Sequence, residues 1–139
     1  MSTVNYAAHL GDGENPGARL VSAFGYPEKI AVLLADEVEW TLPDSLDLFS
    51  GTTKSKAKVI EMMQTIFGEI YLPESMTIDV LEAISQENTV AVRFRLRAHT
   101  TLGPEYDNQY ALFGQLENGK FVRVWEYLDS QSATKQLGG

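Results

Sequence analysis

The chain has no cysteine, only two histidines, and no apolar run near the roughly 18 residues of a membrane-spanning helix. Without cysteine there is no disulfide framework, no thiolate metal site and no thiol nucleophile, and the redox compartment stays open. His9 and His99 share no metal-ligand spacing, so no metal is expected. Gly11, Gly13 and Gly17 do not fit G-x-G-x-x-G, and G-x-x-x-x-G-K-[ST] is absent, so no nucleotide cofactor is expected either. The lack of G-x-S-x-G removes the signature of a serine-hydrolase elbow. Basic residues are scarce, 11 Lys and Arg against 19 Asp and Glu for a net charge of −8, which argues against a duplex nucleic-acid partner. Met1 to Gly17 has no basic segment followed by an apolar one, so no secretory signal or membrane partner is read, and a cytoplasmic location is expected.

What is present suits one globular domain: 139 residues, 44% of them apolar and 22% charged. Residues 1–14 are polar and glycine-containing and read as a loosely held arm. Residues 15–130 read as the domain and 131–139 as a tail. Asn15-Pro16 predicts a capped helix over Pro16–Phe24, stopped by Gly25. A second start at Tyr26-Pro27-Glu28 predicts a short helix to about Asp36. Val38–Leu42 alternates as a strand before Pro43, Asp44–Thr53 reads as a loop, and Lys54–Glu69 has helical spacing. Thereafter the period falls to two over Thr77–Ser85, Thr89–Thr101, Glu105–Leu116 and Phe121–Asp129, with Asn118-Gly119 as a hairpin turn. Three helices followed by a four-strand antiparallel meander predict an α+β fold, with the helices covering one face of a curved sheet.

The chemistry-bearing residues follow from these periods. Val92, Phe94 and Leu96 share one strand face and Arg93, Arg95 and Arg97 the other, which reads as a solvated, ion-paired row. His99 at that strand's end reads as a solvated residue. On the last strand, alternation places Phe121, Arg123, Trp125 and Tyr127 on one face and Val122, Val124, Glu126 and Leu128 on the other. Both faces are largely apolar, so Phe121, Trp125 and Tyr127 are expected at a homodimer interface. Glu126 is expected to point toward the helices, either hydrogen-bonded to a neighbouring strand residue or arginine, or desolvated so that its pKa rises into the range of a general acid or base. Tyr106, Asn108, Tyr110 and Leu112 share a face of the neighbouring strand and, with Val124, Leu128 and Trp40, are the expected cavity lining.

Leu33-Leu34-Ala35-Asp36-Glu37-Val38-Glu39-Trp40, Gly103-x-x-Tyr106-x-Asn108-x-Tyr110, and Asn118-Gly119-Lys120 leading into Glu126-Tyr127-Leu128-Asp129 together resemble SnoaL-like proteins of the nuclear transport factor 2-like superfamily. Ketosteroid isomerase, limonene epoxide hydrolase and polyketide cyclases belong to that superfamily. The resemblance covers about Pro16 to Ser130. It implies a cone-like curved sheet wrapped around the three N-terminal helices, a deep apolar pocket, and dimerisation through the outer sheet face. Glu126 resembles in position the water-activating aspartate of limonene epoxide hydrolases, but the partner acid would fall near Phe94 or Arg95. The base of ketosteroid isomerase would fall at Leu42 and its oxyanion-hole acid near Ala111 or Leu112. The resemblance therefore implies a single acid–base carboxylate, as in polyketide cyclases. Two functions remain open: cofactor-independent isomerase, cyclase or lyase chemistry on a small apolar carbonyl-bearing ligand, or non-catalytic binding of a hydrophobic metabolite or service as a dimerising module.

Overall fold

Asn15 accepts hydrogen bonds from the backbone N–H groups of Gly17 and Ala18, and Pro16 pre-sets the first turn of helix α1, Pro16–Ser22. In this computed structural model, which describes residues 3–7, 15–46, 49–102 and 105–137, the chain continues through α2 (Pro27–Ala31), strands β2 (Leu34–Leu42) and β3 (Gly51–Lys54), and α3 (Lys56–Thr65). A π-helical turn (Ile66–Ile70) and a 3₁₀ turn (Pro73–Ser75) lead to the meander β4 (Thr77–Gln86), β5 (Thr89–Ala98), β6 (Tyr106–Glu117) and β7 (Lys120–Leu128). His9 and Gly103 lie outside the described residues. Among the described residues no helix is long and apolar enough to cross a membrane.

The two ends differ from the sequence expectation. Thr3–Tyr6 is a strand, β1, paired parallel with β4 rather than loose, and the Tyr6 and Ser22 hydroxyls meet at 2.5 Å. Ser130–Gln136 forms a helix, α4, whose Gln136 carboxamide accepts from Asp107 N at 2.6 Å and donates to Asp107 O at 2.9 Å. Helix α2 ends at Ala31, because Leu34 already pairs with Phe121 of β7. The curved sheet runs β1-β4-β5-β6-β7-β2-β3, with α1 and α3 packed against it and α2 against α3. All three expected antiparallel pairings of the meander are present, but β1 with β4 and β2 with β7 pair parallel, so the sheet is mixed.

A bulge decides which side chains reach the core. Gln115 opposes Arg123 while Leu116 opposes Phe121, which leaves Val122 as an extra residue in β7. Simple alternation puts Phe121 on the outer face with Trp125 and Tyr127; the inserted residue reverses the phase, and Phe121 is 1% exposed in the core. Phe121 is therefore no part of an outer interface. The outer face instead carries Phe113, Tyr127 and part of Trp125. The arginine row is exposed or half-buried, and two of its members are ion-paired: Arg95 is bidentate to Asp107, and Arg97 bonds Asp79 at 2.8 Å.

Gly114 of β6 is the space that Phe121 occupies. A Cβ built there would lie 2.5 Å from Phe121 Cε1, inside any real contact distance, and the ring is hemmed in by the core. Gly114→Ala is expected to destabilise the fold by about 1–3 kcal/mol, the usual cost of overpacking. An unchanged midpoint in urea denaturation would refute this placement of Phe121.

Candidate active site

A cavity of about 330 Å³ opens between the inner face of the sheet and the helices. Its wall is almost wholly apolar. Leu96, Leu42 and Leu128 come from strands, Met62, Met63, Ile66, Phe67 and Ile70 from α3 and the π turn, and Ala133 and Leu137 from the C-terminal segment. Its polar members are the carboxyl of Glu126, the phenols of Tyr71 and Tyr110, and Thr134. The cavity has no basic lining residue among those described.

Glu126 is placed by β7, after the bulge has restored the phase in which Val124 and Glu126 point inward. Trp40 Nε1, on the parallel neighbour β2, donates to Glu126 Oε1 at 3.0 Å. Trp40 itself is fully buried and stacks obliquely on Phe24, so it supports the carboxyl from behind instead of lining the cavity. Among the described residues it is the only hydrogen-bond partner of Glu126, and no cation stands near. Burial pushes the Glu126 carboxyl up to about 7, and the Trp40 N–H opposes that rise only in part.

The second polar group is a cluster of phenols. Tyr106 and Tyr110 sit four residues apart on the inner face of β6, their hydroxyls 2.5 Å from one another. Tyr71, which follows the π turn, stacks at 5.3 Å on Tyr106, and Tyr110 lies flat on Phe94 at 4.9 Å. Burial holds Tyr71 and Tyr110 well above the ordinary phenol range, with neighbouring phenols and Glu126 adding to the effect. All three are therefore neutral hydrogen-bond donors near neutral pH. Asn108 stands behind them, donating to Tyr106 Oη at 3.1 Å and to Asp129 O at 3.0 Å. Leu112 opposes Glu126 across the β6–β7 ladder, and Tyr110 opposes Leu128. Tyr110 and Glu126 are thus diagonal neighbours on one face of two paired strands.

Of the expected lining, Glu126, Tyr110 and Leu128 border the cavity. Leu112 and Val124 are wholly buried in the core, and Trp40 and Asn108 contact the polar groups from behind. Sequence reading missed Tyr71 and the α4 wall. Their signals were present: Met63, Phe67 and Tyr71 continue one stripe at intervals of four, and Ala133 and Leu137 repeat that interval after the Asp129 cap. His99 is exposed at the end of β5, away from the cavity lining. No group of three His, Asp or Glu side chains among the described residues is placed to hold a metal.

A family model described as the SnoaL-like domain matches residues 22–124. No curated protein matches the chain in sequence. An NTF2-like protein of unknown function from Burkholderia pseudomallei has the same fold, with a TM-score of 0.76 at 20% identity over 89% of this chain and 95% of that one. A candidate isomerase from Rhodopseudomonas palustris superposes with a TM-score of 0.72 at 21% identity, covering 88% and 96%. A candidate SnoaL-like polyketide cyclase from a Jannaschia species gives 0.71 at 11% identity, covering 89% and 92%. At these identities the likeness is one of fold: an NTF2-like cone.

The elevated Glu126 carboxyl ties stability to pH. A folded value of about 7 against 4.5 for a free side chain means that the folded state holds the proton more tightly between those limits. Stability is then full below about pH 4.5 and falls as pH rises toward 7, by about 3 kcal/mol in all. Denaturation curves of wild type and Glu126→Gln should diverge over pH 5–8, wild type losing stability relative to the variant. Parallel curves would show a carboxyl ionising as in water.

Proposed function

The chain belongs to the SnoaL-like domain family, and from that premise we propose that its cavity carries out cofactor-independent acid–base chemistry on a small, apolar, enolisable carbonyl compound, of the isomerase or cyclase type. The observation that carries this reading is a carboxyl with no cation beside it among the described residues, diagonal on the inner sheet face to a neutral phenol donor and poised near neutrality. The Glu126 carboxylate accepts a proton from the carbon beside the carbonyl, and the C–H electron pair moves to the carbonyl oxygen. Tyr110 or Tyr71 donates a hydrogen bond to that oxygen as negative charge develops. The Glu126 acid then returns the proton to another carbon, giving an isomer, or the enolate carbon attacks a second carbonyl in the same molecule, closing a ring as the Glu126 proton passes to the oxygen of that carbonyl. Because the two groups are neighbours, a carbonyl oxygen and its α-carbon fit between them better than two distant functional groups would. The likeness to a candidate isomerase and a candidate polyketide cyclase points the same way. A water-activating pair of carboxylates has no support here, since Phe94 stands in the core where a second acid would be needed.

2-Tetralone, an apolar enolisable ketone, serves as a probe. Wild type should accelerate exchange of its α-protons in D₂O, followed by proton NMR, with kcat/KM rising through a pH of about 7 as Glu126 becomes a carboxylate. Glu126→Gln should abolish the acceleration while keeping affinity within about tenfold, roughly 1.4 kcal/mol. Tyr110→Phe should cost about 10²–10³ in rate, as for loss of one oxyanion donor. Exchange by Glu126→Gln at the wild-type rate would eliminate this reading.

We further propose that the protein works as a homodimer through the outer sheet face. Phe113 and Tyr127 are 45% and 51% exposed and form an edge-to-face pair at 6.2 Å, beside half-buried Trp125. An aromatic group of this kind on a sheet face favours a self-complementary contact of about 1,200–2,000 Å² in total. Light scattering should give twice the 15.4 kDa chain mass, and Tyr127→Glu should give the monomer. A wild-type monomer at micromolar concentration would reject the proposal.

A further inference from the structure

The orientation of the Asn108 carboxamide is fixed by its backbone neighbours. Its Oδ1 accepts from Gln109 N at 2.9 Å, and its Nδ2 lies 3.0 Å from the carbonyl oxygen of Asp129. A backbone N–H can only donate and a carbonyl can only accept, so one of the two amide orientations satisfies both. Nδ2 is therefore also the atom 3.1 Å from Tyr106 Oη, and Tyr106 must accept there. Asn108 takes no proton from the phenols.

That has a countable consequence. Tyr106 and Tyr110 carry two hydroxyl protons and share one hydrogen bond, so one proton of the pair is left over. Tyr106 is walled in at 1% exposure, whereas Tyr110 and Tyr71 border the cavity. We propose that Asn108 is a positioning residue: by donating to Tyr106 and accepting nothing from the phenols, it makes Tyr106 donate to Tyr110 and so turns the surplus hydroxyl proton of Tyr110 to the cavity wall. The phenol end of the cavity is then a donor, and it selects ligands that carry a hydrogen-bond acceptor there. The inference rests on the carbonyl reading of the cavity and adds the residue that gives it direction.

Asn108→Asp is nearly isosteric and reverses the count, because a carboxylate accepts one phenol proton and leaves none for the cavity. Asn108→Leu removes the donor without adding an acceptor, so the surplus survives but loses its bias. The probes are 2-tetralone labelled with ¹³C at the carbonyl, and tetralin, the hydrocarbon that lacks it. Wild type should bind the ketone more tightly than the hydrocarbon and move the carbonyl resonance downfield. Asn108→Asp should lose that displacement and about tenfold of the ketone preference, the worth of one hydrogen bond, while its affinity for tetralin holds. Asn108→Leu should fall between them, and serves alone if the aspartate does not fold. Equal carbonyl displacement in wild type and variants would overturn the proposal and leave the carbonyl reading standing. Failure of wild type to prefer the ketone would instead reject the carbonyl reading. The role of Asn108 is then decided without ligand by ¹³Cζ-tyrosine titration: removing its N–H in Asn108→Leu should raise the first phenol ionisation, and an unmoved ionisation overturns the proposal.

Discussion

Trp40 Nε1 and Glu126 Oε1, 3.0 Å apart, join two strands that are 86 residues apart in sequence and parallel in the sheet. A carboxyl group withdrawn from water needs a donor, and here one neutral N–H is what the described residues supply. A guanidinium in that position would hold Glu126 ionised and quiet. An indole satisfies one oxygen and leaves the acid near its balance point. The inner face of β7, the parallel entry of β2 beside it, and the packing of Phe24 on Trp40 all serve to keep that single donor in place. Losing the indole would leave a partly buried carboxyl to find water or to stay protonated.

The aromatic rings extend this constraint across the cone. Phe24 contacts Trp40, Phe67 and Phe94; Phe67 contacts Tyr71; Tyr71 contacts Tyr106; and Phe94 stacks on Tyr110. The path links the support of Glu126 to the phenols through the turn that follows α1, the π turn and the sheet. Each ring has only two rotatable side-chain bonds and sits in dense packing, so the carboxyl and the hydroxyls are held in one relative geometry. Tyr71 closes the π turn, its N–H donating to the Ile66 carbonyl, and its ring lies against Tyr106.

The pattern of the meander was legible because period two is preserved wherever a strand has one wet face, and Asn118-Gly119 marks its last turn. The inward direction of Glu126 and Tyr110 was legible for the same reason. What was hidden has a common cause: it depends on partners distant in sequence. Nothing in Thr3–Tyr6 announces that β4 will accept it as a parallel edge, and nothing in Leu34–Asp36 announces that β7 will extend the strand backwards. Val122 is the clearest case. One inserted residue turned Phe121 from an apparent outer aromatic into core, and its local signal is only that Gly114, across the ladder, leaves room for the ring. Composition could not separate cavity lining from cavity support, so Trp40 and Asn108 were expected one layer too far in.

The electrostatics of the cavity narrow what can occupy it. Glu126 and the phenols are all disfavoured as anions by burial, and no described basic side chain lines the wall to offset a ligand's negative charge. A carboxylate or phosphate would enter at the full cost of desolvation and would push Glu126 further toward its protonated form, removing the base. A neutral carbonyl compound meets neither penalty. Its developing enolate charge appears only after proton transfer, when Glu126 has become neutral and the total charge inside the cavity is unchanged. The proposed step would therefore move a negative charge from the carboxyl to the phenol end without adding one, which is the rearrangement that an apolar cavity with no described basic lining residue opposes least.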